Sequence, residues 1–353
     1  MTVDPLKAAA PSNGPAPAVP PTSEHAVPSA PAVAVPTASE SAMPSTSAPA
    51  ADTRPTVPIV LVSPVRDEEK LIRLTLDSVV AQTVWPVEWV IVDDGSKDRT
   101  AEIVLEYAAK YPFIRLVRRP DRGFRKVGGG VVAAFKFGES QIVTPDYQYV
   151  AKLDGDLSFG PRYLELMLER FAADPKLAAV SGKVFRSEGG TLVEEFIIDE
   201  QVAGNFKLYR RDAFADIGGF VEEVMWDGID THMSRMKGYN TLSFYDPEAW
   251  MLHHRLMGSS DRNVYKGRLR WGRGIWFMGY HPLYALASGV FRMREKPFII
   301  GGILIFAGYV GAAMTNKPRY ENLEFRRYLQ KWQMGELRKL ALGRHKHEHK
   351  SQP

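Results

Sequence analysis

Trp89-Val90-Ile91-Val92-Asp93-Asp94-Gly95-Ser96 is the stretch that decides the fold. Four consecutive apolar residues suit a strand buried on both faces, and the Asp-Asp-Gly-Ser that follows supplies turn chemistry. A helical period then runs to about Tyr111. The same unit precedes it: Pro58-Ile59-Val60-Leu61-Val62 leads through a polar turn to Ile72, Leu76, Val79 and Val80 at helical spacing. It recurs downstream. Ile114-Arg115-Leu116-Val117 is followed by Gly128-Gly129-Gly130 and a helix through Phe137. Tyr149-Val150-Ala151-Lys152-Leu153 ends at Asp154-Gly155-Asp156, and Leu164, Met167, Leu168 and Phe171 mark a further helix. Such alternation predicts an α/β fold, a mixed and mostly parallel sheet with helices on both faces.

The chain has 353 residues, enough for one large domain or two ordinary ones. It contains no cysteine, which excludes disulfide scaffolds, thiolate nucleophiles and thiolate metal sites. Any metal must therefore sit on oxygen or histidine. Lys plus Arg is 45 against 41 Asp plus Glu, a balance that points to no particular partner. Residues 1–55 carry 12 of the 25 prolines and no aromatic residue, so a disordered tail is expected there. That tail lacks the roughly 7–15-residue apolar core of a secretory signal, and cleavage and export are not expected.

The last third differs. Pro297 to Met314 is an uncharged run of 18 residues, at the lower edge of a spanning helix and interrupted by glycines. Arg292, Arg294, Lys296, Lys317, Arg319, Arg326 and Arg327 surround it, interleaved with Phe291, Phe298, Tyr320 and Tyr328. This pattern predicts a helix lying on or dipping into an anionic membrane surface, with a buried core helix as the bland alternative. The basic residues cluster beside an apolar segment and form no nucleic-acid module, so nucleic acid is not an expected partner. His345, His347 and His349 belong to a charged C-terminal tail over 341–353.

Open parallel sheets bind ligands beyond the carboxyl ends of their strands. Three polar clusters fall there: Ser63-Pro64-Val65-Arg66-Asp67-Glu68, Asp93-Asp94-Gly95-Ser96 and Asp154-Gly155-Asp156. Two carboxylates one residue apart on a turn can reach one hard divalent cation together with bound phosphates. Arg125-Lys126-Val127-Gly128-Gly129-Gly130 matches neither the Walker pattern nor G-x-G-x-x-G. Its glycines still permit close backbone approach to an anion, and Lys126 adds charge.

Ser63 to Glu69 with Leu71, Ser78-Val79-Val80-Ala81-Gln82-Thr83, Val90 to Thr100 and Lys152 to Asp156 together resemble the family 2 glycosyltransferases of GT-A fold, over about Thr56 to Phe244. The resemblance implies that Ser63 and Val65 cradle a nucleoside and that Asp94, with Asp93 beside it, bonds its base or ribose. It implies that Asp154 faces ribose or sugar, and that Asp156 holds Mg²⁺ or Mn²⁺ on the diphosphate. The family's acceptor motif, E-D-x-D before a helix ending in G-Y, corresponds to Trp226-Asp227-Gly228-Ile229-Asp230 through Gly238-Tyr239. Gly228 replaces one carboxylate there, so the catalytic base falls to Asp227, with Asp230 second. Family habit also gives His254, in His253-His254-Arg255, a place at the metal or diphosphate, and Arg255 a phosphate. Arg268-Leu269-Arg270-Trp271 is similar to the Q-x-x-R-W segment of processive synthases, but Gly267 stands where the glutamine would be.

These readings predict a GT-A domain over 56–260 and a helical, membrane-facing, acceptor-related region over 261–340. The expected reaction is inverting transfer of a sugar from a nucleotide-diphosphate-sugar donor to an acceptor hydroxyl. A lipid-linked or polysaccharide acceptor, at the cytoplasmic face of a membrane with the protein peripheral or monotopic, completes the expectation. Two rivals are a sugar nucleotidyltransferase, which would need a glycine-rich first strand end that Ser63-Pro64-Val65-Arg66 lacks, and a non-catalytic sugar- or nucleotide-binding membrane protein.

Overall fold

Alternate residues of the first strand enter different cores. In β1 (Thr56–Val65), Ile59 and Leu61 face one apolar cluster while Val60 and Val62 face another, and all four are fully buried. A strand with no solvent face has to be apolar throughout, which is why its sequence runs continuously rather than alternating. The computed structural model describes residues 54–121, 123, 128–188, 190–195, 197–255 and 264–343, all within the unit Thr46–Pro353. The tails expected at 1–55 and 341–353 lie outside the described residues except for their inner ends.

From β1 the chain continues through α1 (Ile72–Val80), β2 (Trp85–Asp93), α2 (Thr100–Ala108), β3 (Ile114–Arg118), α3 (Gly129–Glu139) and β4 (Tyr149–Leu153). Next come β5 (Leu157–Phe159), α4 (Tyr163–Ala173), β6 (Leu177–Gly182), β7 (Val184–Glu188), β8 (Thr191–Glu194) and β9 (Phe206–Arg210). α5 (Arg211–Asp216), α6 (Trp226–Met236), β10 (Asn240–Phe244) and β11 (Met251–His253) follow, and then four helices: α7 (Val264–Met278), α8 (Pro282–Phe291), α9 (Ile300–Met314) and α10 (Leu323–Ala341).

Among the described residues seven strands form the main sheet in the order β10-β6-β9-β4-β1-β2-β3, parallel except that β9 runs antiparallel between β4 and β6. The predicted mixed, mostly parallel sheet is thus present. α1, α2 and α4 bury Leu76, Ile103 and Met167 on one face; α3, α6 and α10 bury Phe135, Ile229 and Phe325 on the other. Gly138 of α3 brings that helix onto the sheet, since a Cβ there would stand 2.5 Å from Val92 and 2.6 Å from Val62. The order reverses beside β1: the chain moves outward to β2 and β3, then returns to place β4 on the opposite side. Ligands of open α/β sheets bind at such a reversal. A second sheet, β5-β11-β7-β8, stands beyond the end of β4.

The apolar run of the last third is divided by the fold. Phe298 and Ile299 precede α9, and the glycines serve helix contacts: a Cβ on Gly308 would meet the Leu269 carbonyl of α7 at 2.3 Å, and one on Gly302 the Gly289 carbonyl of α8 at 2.2 Å. Among the described residues no helix is long and apolar enough to cross a membrane. The opposite side of these helices is apolar and exposed, with Leu283, Leu286, Val290 and Phe291 on α8, Phe298 and Ile299 before α9, and Ile300, Ile303 and Met314 along it.

Candidate functional site at the strand ends

Three strand ends meet at the reversal. The Asp94 amide donates to the Val65 carbonyl at 2.9 Å, tying the end of β2 to the end of β1. The Asp154-Gly155-Asp156 turn packs directly on Val65: a Cβ on Gly155 would lie 2.9 Å from Val65 and 3.0 Å from Ile72. The middle residue of this acidic turn therefore has to be small.

Each carboxylate has a different task. Asp93 accepts the Ser96 amide at 2.8 Å and shapes the turn after β2. Asp94 pairs with Arg119 at 3.3 Å, and its carbonyl accepts from Arg66 at 2.8 Å. Asp154 contacts the ammonium of Lys152, which also donates to the Gly204 carbonyl at 2.9 Å. Burial pushes the Asp154 carboxyl above the usual range despite that ammonium. Asp156 is buried and has His253 Nε2 and Arg255 Nε each 3.6 Å from its Oδ2. Burial alone would raise its carboxyl, but His253, Arg255 and Lys152 outweigh it and hold it low. Its other oxygen, Oδ1, is buried with no hydrogen-bond partner among the described residues.

Asp227 lies in the first turn of α6, across the Gly204 segment from Asp154. A Cβ on Gly204 would stand 3.4 Å from Asp227 Oδ2, and the neighbouring Asn205 carbonyl accepts the Asp154 amide at 2.9 Å. Asp230, one turn on, is fully committed elsewhere: Lys207 Nζ donates to both of its oxygens at 2.9 and 2.7 Å, and the Tyr209 hydroxyl adds 2.9 Å. This buried ion pair organises α6 against β9.

Not every predicted residue reaches this place. Ser63 is fully buried and its hydroxyl accepts from the Trp89 indole at 2.8 Å, so its side chain supports the sheet interior. His254 Nε2 is 2.8 Å from the Ser158 hydroxyl, whereas the adjacent His253 faces Asp156. Successive strand residues point to opposite sides, and β11 turns His253 rather than His254 toward the acidic turn. Lys126 lies outside the described residues. Sequence reasoning did not single out Glu195, which is 2 % exposed just after β8 with Oε1 3.7 Å from His253 Nδ1. Nor did it select Arg119. A charged residue directly after an apolar strand, the signal that exposed Asp94, would have drawn attention to it.

Burial, carboxylates and an unmet oxygen make this strand-end crevice suited to a hard cation and a phosphate-bearing ligand. Residues 60–219 match the family model described as glycosyl transferase family 2. Poly-beta-1,6-N-acetyl-D-glucosamine synthase of Staphylococcus aureus strain COL is 27 % identical over 230 residues, covering 59 % of this chain and 52 % of the relative. The synthase of the same name from Staphylococcus epidermidis is 26 % identical over 229 residues, with the same two coverages. The chain spans about half the length of these curated relatives. Among solved structures, a Pyrobaculum calidifontis mannosyltransferase in complex with GDP-Man and Mn²⁺ has a TM-score of 0.44 at 17 % identity, over 81 % of this chain and 88 % of that one. Residues 1–349 of S. aureus TarS in complex with UDP also give 0.44 at 17 %, over 73 % and 72 %. The segment that carries all three strand ends, residues 60–219, thus matches glycosyl transferase family 2, and it lies within the mixed, mostly parallel seven-stranded sheet.

Proposed function

We propose that the chain transfers a sugar, with inversion, from a nucleoside-diphosphate-sugar to an acceptor hydroxyl presented at a membrane surface. The observation that carries this reading is the junction of Asp94, Val65 and Asp154-Gly155-Asp156 at the sheet reversal, with Asp227 across the Gly204 segment. In this reading Asp94 and Arg119 bind the nucleoside, and Arg255, which stands between Asp156 and its ion-pair partner Glu68, binds the diphosphate. Asp227 accepts the proton of the acceptor hydroxyl as its oxygen bonds the anomeric carbon, and the bond to the diphosphate breaks on the opposite face. Asp230 is unsuited to this role because its oxygens already accept three bonds inside the protein.

The residues present suit Mg²⁺ or Mn²⁺. Among the described residues no three acidic or histidine side chains form a cage. A cation shared with substrate phosphates needs only one or two protein ligands, and the partnerless Asp156 Oδ1 offers one, with His253 beside it. Such a cation would neutralise charge growing on the departing diphosphate.

Membrane contact rests on the exposed face of α8 and α9. Eight large apolar side chains between Leu283 and Ile303 are at least 45 % exposed, and Arg294 and Lys296 lie within the same stretch. An apolar strip flanked by cations matches an anionic lipid surface, and a lipid-linked or polysaccharide acceptor would be met there. The test is nucleoside diphosphate release from a panel of UDP- and GDP-sugars, with membrane extracts as acceptor, with and without Mn²⁺. Metal-dependent release that Asp156→Ala abolishes in a folded protein supports the reading; release that is unchanged in that variant, or absent with every donor, overturns it.

A further inference from the structure

Glu195 is a buried carboxylate whose two oxygens have no hydrogen-bond partner among the described residues. An ionised acid left in that state costs several kcal/mol, so a compensating group has to be close. Among the described residues the one basic group within 4 Å is the His253 imidazole, whose Nδ1 is 3.7 Å from Glu195 Oε1 and is itself without a hydrogen-bond partner. The other ring nitrogen, Nε2, faces Asp156 Oδ2 at 3.6 Å. The ring thus stands between two acids that lie on its opposite edges.

The second sheet builds this line. β11 pairs with β5 so that His253 is opposite Leu157, the residue after Asp156. β11 also pairs with β7, β7 pairs with β8, and the Glu195 amide donates to the Val184 carbonyl of β7 at 2.8 Å. Glu195 is therefore fixed by backbone bonds on the far side of the histidine. Two ligands on one cation with bonds of about 2.1 Å stand on the order of 3–4 Å apart, and His253 Nε2 lies 3.6 Å from the Asp156 carboxylate, measured to Oδ2, the oxygen next to the partnerless Oδ1.

We propose that Glu195 is a positioning residue that holds Nδ1–H of His253 and so presents Nε2, beside Asp156, to the divalent cation of the donor complex. Carboxylates in this relation fix the tautomer and orientation of metal-binding histidines, and removing one typically weakens metal binding roughly 10–100-fold. The inference rests on the reading that the chain binds a cation with its donor diphosphate.

The test is Mn²⁺ binding followed by electron paramagnetic resonance in the presence of UDP or GDP, on the full chain and on Glu195→Gln, Glu195→Asp, His253→Ala and the Glu195→Gln/His253→Ala double variant. Pulsed measurements on the bound Mn²⁺ read the imidazole nitrogen directly. The expected result is a nitrogen coupling in the unmodified protein, lost in His253→Ala and diminished in Glu195→Gln. Mn²⁺ affinity should fall about 10-fold or more in Glu195→Gln, recover in part in Glu195→Asp, and fall no further in the double variant than in His253→Ala. Metal-free nucleotide binding should be unchanged, which separates positioning from a loss of fold. Equal Mn²⁺ affinity and coupling in Glu195→Gln, or additive losses in the double variant, overturn the proposal while leaving the donor reading intact. Absence of Mn²⁺ binding by the unmodified protein with either nucleotide overturns both.

Discussion

The strand-end crevice and the α7–α9 layer treat their awkward groups in opposite ways. At the crevice, charge is drawn inward: Lys152 and Lys207 are almost completely buried, and each lies 5.3 Å from the Trp226 ring while contacting a carboxylate. In the helical layer a row of apolar side chains faces outward, while inside it glycines let backbones touch around a small core of Ile275, Ala285, Ile305 and Tyr309. Buried charge fixes a constellation because each group leaves its partner expensive if it moves. An exposed apolar face fixes nothing by itself and acquires meaning from what covers it. The crevice is therefore where substitutions should alter chemistry, and the outer face of α8 and α9 is where they should alter location.

The sharpest way to break this contrast lies within α6. Asp227→Asn should lower transfer rate by about 10²–10⁴-fold, the usual value of a general base, and move the unfolding midpoint little, because among the described residues the bonds Lys207 and Thr231 make to Asp227 go to its backbone carbonyl and none goes to its carboxylate. Asp230→Ala, three residues away, should do the reverse in kind: it leaves Lys207 buried without its counter-charge at a cost of about 3–5 kcal/mol, read in urea unfolding. Equal loss of stability in both variants would show that the two carboxylates are not divided in this way.

Glycine substitutions come next in size. Gly155→Ala inserts a methyl 2.9 Å from Val65 and should displace the acidic turn, costing about 1–3 kcal/mol together with much of the Mn²⁺-dependent activity. Gly308→Ala meets the Leu269 carbonyl of α7 at 2.3 Å, a backbone atom that cannot swing aside, and should cost at least as much stability with metal-free nucleotide binding retained. Unfolding curves measured with and without UDP separate the two outcomes.

Smaller again is the effect on membrane retention. Burying one Ile or Phe side chain is worth about 1.5–3 kcal/mol, so Ile303→Asp or Phe298→Asp should reduce affinity for vesicles of anionic lipid by at least tenfold. Turnover with a soluble acceptor should be unaffected. Unchanged sedimentation with vesicles would remove the lipid reading of this face.

The same contrast governs what could be read from residues alone. Asp94 and Asp156 were legible as candidates because each closely follows an apolar strand, and the fold brings those two strand ends together. Glu195 was not, and the pair His253-His254 was read with His254 toward the metal: the meeting of His253 with Glu195 requires the second sheet, whose strands are drawn from residues 157–253 and include only short segments. Choosing between His253 and His254 required the register of β11 on β5, which no local pattern encodes. Ser63 misled for the converse reason. A serine at a strand end looks available, yet Trp89, which is distant in sequence, occupies its hydroxyl. The run 297–314 was legible as apolar, but its division into an exposed lead-in and a glycine-packed helix depends on Gly272, Leu269 and Gly289 of neighbouring helices.

The smallest expected effect is a pH dependence that differs in sign between two histidines. His232 on α6 packs edge-on against Trp332 of α10, 4.7 Å between ring centres. Burial, with Arg235 adding repulsion, pushes its pKa down to about 3. Between about pH 6.5 and 3 the unfolded chain binds a proton there that the folded chain refuses, so stability falls as pH falls through that window. Between pH 7 and 5.5 the loss is about 1 kcal/mol. His253 is opposite: burial lowers its pKa, but Asp156 and Glu195 outweigh it and raise it to about 9. Its contribution is complete below about pH 6.5 and is lost as pH rises through 9. Removing His232 with His232→Leu should flatten the acid limb of a stability-against-pH curve and leave the alkaline limb unchanged. His253→Asn should flatten the alkaline limb alone, measured without metal. If either substitution reshapes both limbs, the two histidines are coupled, and the acidic strand end and the α6–α10 contact are not independent parts.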